Sequence, residues 1–467
     1  MTRNSDIRSI HFIGVCGTAM GAVAAMLKED GFEISGSDHN VYPPMSTFLQ
    51  EKGIRLMEGF KPENISHSPQ LVVVGNAISR GNPELEHVLD ERIYYLSLPE
   101  TLKTFYLRHS KNLVVAGTHG KTTTTSLLTW IFQHAGKEPS FLVGGIPLNL
   151  GQGCKRQSDK YWILEGDEYD TAFFDKRSKF IHYLPELVIL NNIEFDHADI
   201  FPNLDAVKTA FLRLVNIIPS NGMIVINGDD QNCKEVTKNA LAEVIEVGFS
   251  EDCALRITDC GHDTSGSSFA FLGRKFHIPL YGQHNISNAA KAIAAAHSYQ
   301  IPLDKIAEAL TLFKGIKRRM EVKYDSHGIT VVDDFGHHPT ALRETIAAIR
   351  TRYPGRRLWA VFEPRSNTTR RSVFQKELPE ALAHADGVFI SQVARLEQIP
   401  ANERLNPEKV AADIAAAGRP SFYEKDAATI VSKLVPLLKK GDVIAVFTNG
   451  GFDGIHEKLQ AVLKIQK

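Results

Sequence analysis

Val114-Val115-Ala116-Gly117-Thr118-His119-Gly120-Lys121-Thr122-Thr123 is the stretch on which the reading of this chain turns. The apolar run Asn112–Ala116 reads as a buried strand, and Lys121 to about Ala135 reads as a helix. A strand, a glycine turn and a helix start in that order aim backbone N–H groups and the helix dipole at phosphate. Lys121 would neutralise the outer phosphates of ATP, and the Thr122 hydroxyl would reach a magnesium ion. The spacing departs from G-x-x-x-x-G-K-[ST], because Val115 stands where the first glycine belongs. A chance turn on the surface is the bland alternative. The flanking strand and helix favour an ATP site made of Gly117, Thr118, His119, Gly120, Lys121, Thr122 and Thr123.

Upstream, Ser9–Gly14 reads as a strand running into a second glycine turn, Gly14-Val15-Cys16-Gly17-Thr18-Ala19-Met20-Gly21, and then into a helix near Ala19–Lys28. Asp38 ends a further strand, where a ribose-binding acid would stand. Taken alone this suggests a dinucleotide fold. Cys16, however, occupies the place of a second glycine, so a nucleotide diphosphate is the safer expectation than NAD.

Downstream, two acidic clusters follow apolar strands: Glu165-Gly166-Asp167-Glu168-Tyr169-Asp170 and Asn192-Ile193-Glu194-Phe195-Asp196-His197. Ligands sit at the carboxyl ends of strands in open α/β sheets, and hard carboxylate oxygens there suit magnesium. His284-Asn285-Ile286-Ser287-Asn288 opens an Ala-rich helix, where asparagine either caps the helix or reads an adenine edge. In the last third, a strand beginning at Ile329 ends in Asp333-Asp334-Phe335-Gly336-His337-His338-Pro339, and another ends in Glu363-Pro364-Arg365-Ser366-Asn367-Thr368. Side chains at the tips of two strands point one way, so Asp334, His337 and Arg365 are expected to face one cleft; the adjacent histidines are poorly spaced for zinc and read as substrate or phosphate contacts. The final Thr448-Asn449-Gly450-Gly451-Phe452 reads as a plain glycine turn.

With 467 residues and about 150 per domain, three α/β domains are expected, spanning 1–109, 110–317 and 318–467. The fold class is α/β: a Rossmann-like first domain, a central P-loop ATPase-like domain and a Rossmann-like third domain. A formal net charge of −1 gives no basic field for nucleic acid or membrane. No apolar run is long enough to span a bilayer, and the N-terminus lacks a signal-peptide core, so a cytoplasmic location is expected. Five scattered cysteines without C-x-x-C spacing argue against disulfides and against a cysteine zinc site. A nucleotide-binding regulator and a dehydrogenase remain the rival classes.

Together, Gly-Thr-His-Gly-Lys-Thr-Thr-Thr-Thr, Glu-Gly-Asp-Glu-Tyr-Asp, Asn-Ile-Glu-Phe-Asp-His, His-Asn-Ile-Ser-Asn and Asp-Asp-Phe-Gly-His-His-Pro, in this order, resemble the Mur ligases, the cytoplasmic amide-forming enzymes of peptidoglycan synthesis. The resemblance runs nearly the whole chain and implies a UDP-sugar domain, an ATP domain and an amine-substrate domain. It implies that Gly14, Cys16, Gly17, Thr18, Met20, Ser37, Asp38 and Asn76 serve UDP-N-acetylmuramate. It likewise implies that Thr122, Glu165 and His197 hold Mg2+, and that His284, Asn285, Asn288 and Arg319 join the ATP loop on the nucleotide. Lys121, His197, Asp334 and His337 are then the catalytic candidates, with His337 and Arg365 facing the peptide. The stretches 14–18, 40–47, 75–83, 174–180 and 363–368 look like the branch that accepts the murein tripeptide L-Ala-γ-D-Glu-meso-diaminopimelate in wall recycling. The alternative is the branch that takes L-alanine, which typically has glycine at the place of Cys16 and a His-Arg-Tyr stretch near Arg365.

Overall fold

The computed structural model describes residues 7–39, 41–42, 45–394 and 396–465. The N-terminal stretch 1–6 and Asn40, Pro43 and Pro44 of the stretch 40–47 therefore lie outside the described residues. The chain divides into two compact units. One comprises Met1–Ile193, Lys208–Arg256 and Ala290–Ala309, and the other Glu194–Val207, Ile257–Ala289 and Leu310–Lys467.

Among the described residues, the first unit holds a five-stranded sheet, an eight-stranded sheet and a two-stranded hairpin. In its five-stranded sheet the order is Arg55–Glu58, Glu33–Asp38, Ser9–Ile13, Leu71–Val74, Tyr95–Ser97, all parallel. The chain leaves Ser9–Ile13 first to one side and later to the other. That reversal opens a crevice at the strand's carboxyl end, where Gly14 begins the first glycine turn. Ile10, Phe12, Ile13 and Leu71–Val74 are buried, as expected of parallel strands covered on both faces.

The second sheet has eight strands, and Lys111–Ala116 lies between Leu187–Leu190 and Tyr161–Glu165, parallel to both. This is the same topological switch, and the phosphate loop leaves from it. Continuous apolar side chains at Leu113–Ala116, Ile163, Leu164 and Leu187–Leu190 make these the core strands. Strands Met223–Asn227 and Glu243–Gly248 extend the sheet on the Leu187–Leu190 side. A hairpin, Asp170–Ala172 with Asp175–Ser178, links the two sheets. Phe173 at its tip packs against the Ile13, Val72, Val74 and Ile78 cluster, and Phe174 meets Tyr95 edge-on.

The second unit contains a three-stranded antiparallel sheet, Thr258–Asp263, Gly266–Phe271 and Arg274–Ile278, which the sequence reading did not anticipate. Its six-stranded sheet runs Glu321–Ser326, Ile329–Asp334, Val443–Phe447, Leu358–Phe362, Gly387–Ser391, Ser421–Glu424. The opening strand expected at Ile329 is therefore the second. Glu321–Ser326 precedes it as an antiparallel edge strand, missed because its charged, half-exposed side chains lack the apolar run of a buried strand. Among the described residues, no helix is long and apolar enough to cross a membrane.

Candidate active site

The phosphate loop is built as its spacing implies. Lys111–Ala116 ends in Gly117 and the helix Lys121–His134 follows, with Gly120 as its N-cap in the left-handed region at φ 76°. Gly117 has φ 127°, and a Cβ there would come to 3.0 Å from the backbone nitrogens of Asn191 and Asn192. Only glycine fits both the dihedral and the space. Those two asparagines, at the end of Leu187–Leu190, hold the loop from beside it. His119 N–H donates to Asn192 Oδ1 at 2.7 Å, Thr118 N–H to the Asn192 carbonyl at 3.0 Å, and Asn191 Nδ2 to the His119 carbonyl at 3.2 Å.

Lys121 folds back over this loop. Its ammonium donates to the carbonyls of Gly117 and Thr118 at 2.7 and 3.2 Å, and to Glu168 Oε1 and Oε2 at 2.9 and 2.8 Å. Burial opposes its charge, but Glu168, Asp167 and Glu165 outweigh burial and raise its pKa, so it stays a cation. Thr122 Oγ1 donates to Glu165 Oε1 at 2.8 Å, and Gly144 N–H donates to Glu165 Oε2 at 2.6 Å. A hydroxyl and a carboxylate facing each other at the rim of a phosphate loop are the hard oxygen donors that magnesium takes, so the residues present fit the ion. Asp167 is bound by Lys179 Nζ at 2.5 Å and by Tyr169 N–H at 3.2 Å. Burial pushes its carboxyl up, but Lys179 and Lys121 prevail and bring it to about 2.

The first glycine turn is equally well tied. Gly14 and Val15 N–H donate to the Ser37 carbonyl at 2.8 and 3.0 Å, and Cys16 N–H donates to Asp38 Oδ2 at 2.9 Å. Gly17 caps the helix Thr18–Glu29, and Met20 is buried on its inner face. Ser37 lies beneath the turn: it is fully buried, and its hydroxyl donates to Glu84 Oε1 at 2.8 Å. Glu84 is itself buried, with His11 Nε2 at 2.6 Å and Asn64 Nδ2 at 2.8 Å. Asn76 donates to the Asp170 carbonyl at 2.8 Å and so docks the linking hairpin.

In the second unit, the segment after Ile193 packs with the last domain. His197 adopts φ 56°, and its N–H donates to Asp196 Oδ1 at 2.7 Å. His337 Nε2 lies 3.8 Å from Asp196 Oδ2. Burial opposes the Asp196 charge, but His197, His337 and His338 hold its carboxyl well below the usual range. His338 does structural work: its Nδ1 accepts Thr340 N–H at 3.2 Å and caps the helix Pro339–Arg352, and its Nε2 is 3.2 Å from the Phe195 carbonyl. Asp334 is buried and accepts N–H groups from Met320 and Gly336 at 2.8 and 2.7 Å. Burial raises its pKa against the pull of Arg319. Arg318 and Arg319 both lie over the Phe335 ring, at 5.3 and 5.1 Å.

Arg365 lies 3.2 Å from Glu363 Oε1. Gly450 runs so close under it that a Cβ there would come to 2.3 Å from the guanidinium. Thr448 Oγ1 donates to Glu363, and the carbonyls of Thr448 and Gly450 accept Arg318 at 2.7 and 2.9 Å. The turn read as plain glycine is thus the seat of two arginines. Asn285 Nδ2 donates to the Tyr281 carbonyl at 2.8 Å, and Asn288 Nδ2 lies 3.5 Å from Asn285 Oδ1. Both sit inside the helix Gln283–Ser298, as does His284, so neither asparagine is its cap.

Models of the Mur ligase middle domain, of the Mur ligase family catalytic domain and of the Mur ligase glutamate ligase domain match residues 115–296, 9–109 and 318–450. A protein of Escherichia coli (strain K12), the UDP-N-acetylmuramate–L-alanyl-gamma-D-glutamyl-meso-2,6-diaminoheptandioate ligase, is 42% identical over 96% of this chain and 97% of its own. The chain belongs to the Mur ligase family.

As a Mur ligase it is an ATP-dependent enzyme that forms an amide bond. The crystal structure of a murein peptide ligase from Psychrobacter arcticus resembles this Mur ligase with a TM-score of 0.72 at 35% identity, covering 98% of this chain and 99% of that one. The UDP-N-acetylmuramate–L-alanine ligase of Persephonella marina is 31% identical over 98% and 97% of the two chains. In this Mur ligase the residues expected to meet ATP phosphates lie together between the strand Lys111–Ala116 and the helix Lys121–His134, and Glu165, at the end of the neighbouring strand, meets them through Thr122. His197, expected to share the metal, belongs to the other unit. Sequence reasoning passed over Asn191, Asn192, Glu168 and Lys179 as individuals. For Asn191, Asn192 and Glu168 the signal was position, since each follows a buried strand whose carboxyl end faces the loop; Lys179 follows the exposed hairpin strand Asp175–Ser178 and carried no such signal.

Proposed function

We propose that this chain joins UDP-N-acetylmuramate to the amino terminus of L-Ala-γ-D-Glu-meso-diaminopimelate, using ATP, as a cytoplasmic step of peptidoglycan recycling. The observation that carries this reading is the likeness along nearly the whole chain, at 42% identity, to a ligase named for that tripeptide. The relative named for L-alanine stands at 31%. The build of the phosphate loop supports it at the level of chemistry.

A carboxylate does not condense with an amine in water, because it is a poor electrophile and hydroxide is a poor leaving group. The lactyl carboxylate is therefore phosphorylated by ATP, an oxygen forming the bond to the γ-phosphorus as ADP leaves. The amine nitrogen of the tripeptide then attacks the acyl carbon, phosphate departs and the nitrogen loses a proton. Lys121 meets the outer phosphates and offsets the repulsion between triphosphate and carboxylate. Magnesium, held at Thr122 and Glu165, would supply further charge neutralisation there. The backbone N–H groups at the start of the helix Lys121–His134 orient the phosphates. Gly14, Cys16 and Gly17 serve the UDP diphosphate at the head of the helix Thr18–Glu29. Arg319, His284, Asn285 and Asn288 are assigned to the nucleotide by their family motifs, and His337 and Arg365 to the peptide, whose carboxylates call for cationic partners.

The test is phosphate release from Mg-ATP with UDP-N-acetylmuramate, offering the tripeptide or free L-alanine in parallel. Turnover with the tripeptide alone is expected. Turnover with alanine alone would assign the chain to the biosynthetic branch.

A further inference from the structure

Glu168 is the one acid of the Glu165–Glu168 cluster that binds the phosphate-loop lysine directly. Its carboxylate is 2% exposed, and both of its oxygens lie within 2.9 Å of Lys121 Nζ. An ammonium has three protons. Those of Lys121 are taken by the carbonyls of Gly117 and Thr118 and by this carboxylate. A phosphate oxygen can bind Lys121 only by displacing one of these acceptors. The two carbonyls belong to the loop itself, so Glu168 is the partner that can give way. A bidentate carboxylate also resembles a phosphate edge in charge and spacing.

Displacement leaves Glu168 as a buried anion in a cluster whose Glu165 and Asp167 charges also act on Lys121, with a triphosphate arriving beside it. Like charges at such range repel strongly where water is scarce. A nucleotide bearing a divalent cation brings its own compensation, and a bare nucleotide does not. We propose that Glu168 is a positioning residue that occupies the phosphate place on Lys121 and makes nucleotide binding conditional on the accompanying metal ion. This rests on the ATP-site reading of the loop and adds a selection step to it: the loop stays closed on its own counter-ion until metal and nucleotide arrive together.

Binding, not turnover, tests it. The affinity of the full chain for a fluorescent ATP analogue is titrated in magnesium and again in EDTA, for the wild type and for Glu168→Gln, Glu168→Ala and Glu168→Asp. Far-UV circular dichroism confirms folding, and the two uncharged variants are made together so that either one suffices. The wild type is expected to bind the metal-free nucleotide at least about tenfold more weakly than the magnesium complex. Either uncharged variant should bind the metal-free nucleotide about tenfold tighter than wild type does, shrinking the ratio, while Glu168→Asp keeps most of it. A ratio unchanged in the uncharged variants overturns the proposal. Wild-type protein that binds no nucleotide under either condition overturns the ATP-site reading itself, a result distinct from an unchanged ratio.

Discussion

The ammonium of Lys121 and the carboxylate of Glu168 form a two-pronged ion pair at 2.8 and 2.9 Å, almost sealed from solvent. The lysine is thereby held charged and folded back over its own loop, with Glu168 in the place of an anionic ligand. Lys121→Ala removes the ammonium that bonds the Gly117 and Thr118 carbonyls of that loop. Phosphate release from ATP should fall by about a thousandfold or more, with UDP-N-acetylmuramate affinity changing less than about twofold. Calorimetry of the sugar nucleotide alongside the activity assay checks both halves, and unchanged turnover would remove the phosphate-loop assignment.

Asp334 holds the backbone beside Arg319 through the Met320 N–H at 2.8 Å, and its second oxygen takes Gly336 N–H at 2.7 Å. Asp334→Asn turns one acceptor into a donor facing an N–H group inside the protein. The expected cost is about 2 kcal/mol of stability. The KM for ATP should rise by about tenfold as Arg319 loses its anchor, while the KM for the sugar nucleotide stays put. Equal increases in both constants would speak for general unfolding instead.

Burial and the neighbouring Asp38 carboxylate push the Cys16 thiol up to about 11. A raised thiol pKa leaves almost no thiolate at neutral pH. Alkylation of Cys16 by iodoacetamide at pH 7.5 should be about ten to a hundred times slower than that of an unperturbed thiol, and should climb steeply towards pH 10–11. Peptide mass spectrometry over time reads the rate. Fast labelling at pH 7.5 would show that Cys16 is not held as a thiol.

The hairpin carries its own acid-sensitive clamp. Asp175 accepts Arg177 Nε and Nη2 at 2.9 and 2.8 Å, Arg177 N–H at 3.0 Å, and lies 2.9 Å from His182 Nε2. Burial raises its pKa, but the Arg177 and His182 hydrogen bonds win and bring it to about 2. A folded pKa below the unfolded value of about 3.9 stabilises the fold above about pH 4, and that contribution fades as pH falls towards about 2. With screening by solvent, Asp175→Asn should cost about 1 kcal/mol at pH 6. The difference from wild type should close between about pH 4 and pH 2, read from urea midpoints. A constant gap down to the lowest workable pH would count against the clamp.

Buried parallel strands announce themselves because their residues are apolar on both faces, and this made Ser9–Ile13, Lys111–Ala116, Leu187–Leu190 and Val443–Phe447 readable without coordinates. Glycines at their ends marked the ligand turns for the same reason: Gly117 has no room for a side chain. The three-stranded sheet 258–278 was hidden, because short antiparallel strands with polar outer faces carry little periodic signal. Pairings between side chains far apart in sequence were hidden too. Glu168 on Lys121, or Gly450 under Arg365, depends on where turns meet, which no spacing within one motif encodes. The bond from Ser37 to Glu84, which ties the first glycine turn to a buried carboxylate, was hidden in the same way.

The hairpin 170–178 has its Phe173 tip packed against the core cluster of one sheet, while its base continues into the Glu165–Asp170 cluster at the carboxyl end of a strand of the other. One short hairpin thus touches the sheet behind the Gly14 turn and the sheet behind the Lys121 loop. On the proposed assignment of those turns to the sugar nucleotide and to ATP, any coupling carried by the hairpin is reciprocal: the factor by which one ligand changes the affinity for the other is the same in both directions. Phe173→Ala, which touches neither turn, is the substitution in which a change in that factor would be read.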